Sequence, residues 1–105
     1  MSPREEAIAH LRRSVELNPG NGEAQFDLAR MLVEARQPAD AVDHFRAALT
    51  LMPNSAEAYT GLGLAFALQG RVYDAIEQFQ RALTLDPTSA DARRNLAIAL
   101  RQRRR

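Results

Sequence analysis

The stretch DHFRAALTLMPNSAEA, residues 43–58, returns as EQFQRALTLDPTSADA at residues 77–92, a step of 34. Pro19, Pro53 and Pro87 follow the same step. So do Ala7, Ala41 and Ala75; Leu11, Phe45 and Phe79; Ser14, Ala48 and Ala82; and Leu17, Leu51 and Leu85. A second set of columns runs through Leu28, Leu62 and Leu96, through Ala29, Gly63 and Ala97, and through Leu32, Phe66 and Leu100. A fixed period between 20 and 50 residues marks a repeat architecture. Each unit is too small to bury its own apolar face, so stacking on its neighbours is what stabilises it.

Each half-unit has helical spacing. Tyr59, Leu62, Gly63 and Phe66 stand at i, i+3, i+4 and i+7, one apolar stripe. Ala75, Ile76, Phe79, Ala82 and Leu83 form another. Large side chains in one stripe face small ones in the next, so a ring can sit over Ala or Gly on the neighbouring helix. Gly63 costs about 1 kcal/mol of helix propensity, and close helix approach is the expected compensation. Gly70 suits a left-handed helix end, and Pro38 suits the first turn of a helix. The strings LNPGNGEA, LMPNSAEA and LDPTSADA each end a helix before proline and offer Asn, Ser or Thr to open the next. Ser2, Pro3 and Glu5 form the pattern of a capping box. The predicted helices cover 3–17, 22–36, 38–51, 56–69, 72–85 and 90–103.

Residues 56–89 resemble the tetratricopeptide (TPR) repeat, matching at Tyr59, Leu62, Gly63, Phe66, Ala75, Phe79, Ala82 and Pro87. Residues 22–55 match less fully, with Gln25 where an aromatic is usual and Ala29 where glycine is usual. The resemblance implies an all-α helical-repeat solenoid, a right-handed superhelix of antiparallel pairs with a concave binding face. With A and B naming the two helices of a unit, the six helices read B–AB–AB–A within one domain. Residues 3–21 are a half repeat, 22–55 and 56–89 are full repeats, and 90–103 is a half repeat or capping helix. Ala7, Leu11 and Ser14 then face a first helix that does not precede them, and Leu96, Ala97 and Leu100 face a second helix that does not follow. Arg93 replaces the aromatic expected beside them. The simpler expectation is a solvating cap or a piece cut from a longer array. The alternative is head-to-tail self-association, favoured in charge because the last helix is basic and the first carries Glu5, Glu6 and Glu16. Ala7, Leu11, Ser14, Leu96, Ala97 and Leu100 are the self-association candidates, and a homo-oligomer is one of the expected partners.

In the resembled fold the A helices line the groove. That assigns to it, column by column, Glu23, Glu57 and Asp91; Phe26, Thr60 and Arg94; Asp27, Gly61 and Asn95; Arg30, Leu64 and Ile98; Val33, Ala67 and Arg101; and Glu34, Leu68 and Gln102. The face is acidic at its start and basic at Arg94 and Arg101, with Phe26, Leu64, Leu68 and Ile98 as apolar ground. Leu64 and Leu68 are equally readable as core. A peptide or helix with apolar anchors and the opposite charge polarity is the expected partner. Some family members grip a C-terminal carboxylate with lysines and asparagines on this face. This chain has no lysine, and only Asn95 falls on a suitable column, which disfavours that form of clamp.

Other chemistry is sparse. The absence of cysteine excludes disulfides and thiolate metal sites. His10 and His44, one repeat apart on outer helices, read as solvated. Ser2, Ser55 and Ser89 read as caps, and no nucleophile–base–orienter set exists. GLGLAF, residues 61–66, lies in a helical stripe and not after a strand, so it is no phosphate loop. The expectation is no enzyme, no cofactor and no metal. No apolar run is long enough for a signal peptide or a membrane span, which leaves the cytoplasm as the default location. All 14 basic residues are arginine, a hint of GC-rich coding. The tail RQRRR, residues 101–105, would attract nucleic acid or an anionic surface, but arginines also complement a helix C-terminus, and no aromatic is interleaved for base stacking. Nucleic acid is therefore the lesser alternative to a protein or peptide partner.

Overall fold

A computed structural model describes residues 1–104; Arg105, the last residue of the arginine tail, lies outside the described residues. It contains six helices: α1 (Pro3–Leu17), α2 (Gly22–Glu34), α3 (Pro38–Leu51), α4 (Ala56–Leu68), α5 (Val72–Leu85) and α6 (Ala90–Arg103). Helices expected to reach 36 and 69 stop one or two residues sooner, because a left-handed residue intervenes. Gly70 takes φ +76°, and Arg36, at the same place one repeat earlier, takes φ +62°. Behind each, a backbone N–H reaches five residues back, Gln37 to the Leu32 carbonyl at 2.8 Å and Arg71 to the Phe66 carbonyl at 2.9 Å. Both are Schellman closures.

The A helices open on equivalent caps, one asparagine and two serines. Asn21 Oδ1 accepts from the Ala24 N–H at 3.1 Å, Ser55 Oγ from Ala58 at 3.1 Å and Ser89 Oγ from Ala92 at 3.2 Å. These side chains satisfy N–H groups that a helix start otherwise leaves unpaired. Ser2 Oγ likewise accepts from the Glu5 N–H at 3.1 Å. The reciprocal bond of a capping box, from Glu5 back to the Ser2 N–H, is not formed among the described residues.

The core forms where large meets small. Leu28, Leu32, Phe45 and Phe79 are the largest fully buried side chains. A Cβ added at Gly63 would lie 2.7 Å from Phe79 Cδ1 and 2.9 Å from Cζ. The glycine therefore sits directly under the ring, and burial of that ring offsets its propensity cost. α4, whose only charge is Glu57, packs against α3 and α5 and also touches α2 and α6, so its nearly all-round apolar surface is covered. The recurring leucines at the B-helix ends behave otherwise. Leu17, Leu51 and Leu85 are exposed, Leu17 to 72%, because the chain turns away toward proline just past them.

Candidate functional site

Consecutive A helices pack closely, α2 against α4 and α4 against α6, whereas the backbones of α1, α3 and α5 stay apart and, among the described residues, only the Arg12–Asp40 pair reaches from α1 to α3. Close spacing in one layer and wide spacing in the other curve the stack, with the A helices on the inside. Their inner face holds a depression of about 280 Å³. Phe26 and Val33 of α2, and Thr60, Gly61 and Leu64 of α4, line it together with the edge of Phe45 from α3. Phe26 meets Phe45 edge to face, with centroids 5.9 Å apart and planes at 66°, a favoured aromatic geometry. Phe45 reaches this far because Gly61 leaves room: a Cβ there would overlap the Phe45 Cε1 and Cζ atoms.

The rim is charged. Arg30, Glu57, Asp86 and Asp91 are among the lining residues. Arg30 is drawn back by Asp27 at 3.5 Å and lies 5.8 Å from the Phe26 ring centroid. Arg94 is held by Asp91 at 2.6 Å. Such exposed pairs contribute little to stability, but they fix where charge is presented.

Of the groove candidates, Phe26, Arg30, Glu57, Thr60 and Leu64 converge on the depression. Glu23, Asp27, Leu68, Arg94, Asn95, Ile98 and Arg101 lie outside it. Leu64 is partly buried against the core, while Leu68 and Ile98 are exposed on the inner helices. Phe45, Ala56, Asp86 and Ser89 complete the lining and were missed by the column assignment. Phe45 is a packing residue, fully buried, that backs the floor from inside, and Ser89 is the cap of α6. The available signal was Gly61, a glycine in a column where its neighbours carry Asp27 and Asn95.

The terminal helices present partly uncovered stripes. Ala7, Leu11 and Ser14 are half-buried, as are Leu96 and Leu100, and Ala97 is exposed. Their equivalents Leu28, Ala29 and Leu32 are fully buried between two helices. His10 is exposed, but the expectation of a solvated His44 is wrong. Its Nδ1 lies 2.8 Å from Gln25 Oε1, and burial lowers its pKa below 6.5, reinforced by the nearby Arg12 charge and opposed by Asp43 and Asp40. Among the described residues no three His, Asp or Glu side chains gather as metal ligands, and no helix is long and apolar enough to cross a membrane.

A tetratricopeptide repeat family model matches residues 4–56, 26–90 and 73–105. The chain belongs to the tetratricopeptide repeat family. Its TPR fold is shared with the crystal structure of MamA, at 28% identity and a TM-score of 0.90 over 95% of this chain and 58% of that one. It therefore spans less than two thirds of the MamA chain. The first TPR domain of human RPAP3 superposes with a TM-score of 0.89 at 21% identity, covering 94% of this chain and 78% of that one. The first TPR of Spaghetti (RPAP3), bound to the HSP90 peptide SRMEEVD, gives a TM-score of 0.93 at 20% identity, covering 97% and 81%. No curated protein matches.

Proposed function

We propose that this TPR domain is a non-catalytic interaction module whose concave depression takes a basic peptide segment through one apolar anchor. The observation that carries this reading is an apolar floor of Phe26 and Leu64, backed by Phe45, beside the rim carboxylates Glu57 and Asp86, with Asp91 already held by Arg94 and Arg30 drawn toward Asp27. An apolar side chain entering the depression gains burial, and a flanking Arg or Lys gains the carboxylates. Spaghetti (RPAP3) takes an HSP90 peptide, SRMEEVD, with three acidic residues. The acidic rim here supports the opposite preference. Arg94 and Arg101, expected to form a basic end, stand outside the depression, and Arg94 is spent on Asp91.

Titration of peptides of the form Gly-Arg-Leu-Arg-Gly and Gly-Glu-Leu-Glu-Gly into the isotope-labelled chain tests this. The basic peptide should shift the amide resonances of Thr60, Gly61 and Leu64, and Thr60→Arg should abolish the shifts while helicity is retained. Preference for the acidic peptide at the same residues would overturn the reading.

The uncovered stripe of Leu96 and Leu100 favours a second reading, in which a helix from another copy seats against α6. Sedimentation equilibrium from micromolar to millimolar concentration tests it. Mass rising with concentration, and lost in Leu100→Glu, supports it; a monomer throughout excludes it.

A further inference from the structure

The outer side of the stack holds a second, more open depression of about 460 Å³ between α3, α4 and α5. Arg46, Arg71 and Arg81 edge it. The Arg71 and Arg46 guanidinium carbons lie 4.5 and 5.7 Å from the same Phe66 ring centroid, and that of Arg81 lies 6.0 Å from the Tyr59 centroid. Asp74 pairs with Arg71 at 2.9 Å and Glu77 with Arg81 at 2.7 Å. Arg46 has no carboxylate partner among the described residues. Gln78 forms part of the wall, is only 8% exposed, and its Oε1 has no hydrogen-bond partner.

The same place one repeat earlier is internally satisfied. There Arg12, equivalent to Arg46, reaches Asp40 at 3.8 Å, and Gln37 stands where Arg71 stands later. Gln25, equivalent to Tyr59, bonds His44, equivalent to Gln78. In the second repeat Arg71 takes the carboxylate that Arg46 would otherwise have. Tyr59 in turn forms no hydrogen bond to Gln78 in place of the one from Gln25. One repeat closes its own polar groups; the next leaves an unpaired cation and a buried amide oxygen without a partner on the lining of one depression.

We infer that this outer depression binds an acidic peptide segment, its carboxylate on Arg46 and Arg71 and its main-chain N–H donated to Gln78 Oε1 once that side chain turns outward from its buried position. Guanidinium groups match carboxylates in geometry and charge, and a buried acceptor without a partner requires a donor. An acidic peptide offers a carboxylate and an N–H within one residue. Nucleic acid fits less well, because the guanidiniums already lie against Phe66 and Tyr59, the rings on which bases would stack.

The probe is acetyl-triglutamate amide, titrated into the full isotope-labelled chain while the Gln78 side-chain amide and Arg46 Nε resonances are followed. Saturable shifts at both are expected. Arg46→Gln and Gln78→Leu should each weaken binding by about tenfold or more, about 1.4 kcal/mol. Arg13→Gln, an exposed arginine of α1, should leave binding within about twofold, the range of an exposed charge. Thr60→Arg on the concave side should leave this titration unchanged, which separates the two sites. No shift at Gln78 and Arg46 up to millimolar peptide would overturn the proposal, as would an equal loss in Arg13→Gln. A tetrathymidylate that shifts the same resonances at lower concentration than the peptide would reassign the depression to phosphate and overturn the peptide assignment.

Discussion

Gln25 of α2 and His44 of α3 are joined by a 2.8 Å hydrogen bond, and the direction of that bond is fixed from outside the pair. Gln25 Nε2 donates to the Pro19 carbonyl at 3.1 Å, so its Oε1 is the acceptor and His44 Nδ1–H the donor. Gln25 stands where the resembled pattern has an aromatic, and so does Arg93. Arg93 Nη2 in turn donates to the Pro87 carbonyl at 2.7 Å. Two different polar residues thus occupy one column by serving the same carbonyl, which lies six positions earlier in each unit.

Burial depresses the His44 pKa below its ordinary value of 6.5. The unfolded chain therefore binds the proton more readily, and stability rises with pH across that window. This contribution is fully present above pH 6.5 and declines as pH falls below it toward the folded value. Urea denaturation should show stability decreasing from pH 7 to pH 5. His44→Gln, which installs the residue found at position 78, should flatten that decrease.

Phe79 is fully buried over Gly63. Phe79→Ala should cost about 3–5 kcal/mol by loss of transfer energy and creation of a cavity. Gly63→Ala gains about 1 kcal/mol of helix propensity but forces the ring to move, a strain of about 1–3 kcal/mol. Both should lower the urea midpoint, the first far more. A cost below about 1 kcal/mol for Phe79→Ala would remove the ring from the core.

Arg36 occupies the left-handed region at φ +62°, which costs a side-chain-bearing residue about 1–2 kcal/mol. Gly70 carries the same turn without that cost. Arg36→Gly should raise stability by about 0.5–1 kcal/mol, part of the gain being offset by a more flexible unfolded chain. Thermal melts of the two proteins at equal concentration give the sign directly.

Glu57 sits on the rim of the concave depression. For a basic peptide, Glu57→Gln should weaken binding about two- to fivefold, the range expected of an exposed charge pair. The difference between the two proteins should shrink as salt rises and screening increases. Calorimetry at two ionic strengths separates this from a loss of fit.

The sequence by itself determined the helices, their order and the core. Those features rest on local rules repeated three times over: prolines at 19, 53 and 87, caps at 21, 55 and 89, and small residues opposite large ones. A helix period and a stop signal act within a few residues, so they are readable without coordinates. The tertiary structure decided which polar side chains find partners. His44 looked solvated because its partner lies 19 residues away on another helix. Phe45 is interior, as its column predicts, and only its position decides that its edge backs the groove floor in the space that Gly61 leaves open. Arg46 and Arg12 share a column, and only the spatial competition between Arg71 and Arg46 for Asp74 sets them apart. Packing repeats with the period; hydrogen bonds and ion pairs follow the individual atoms that meet across it.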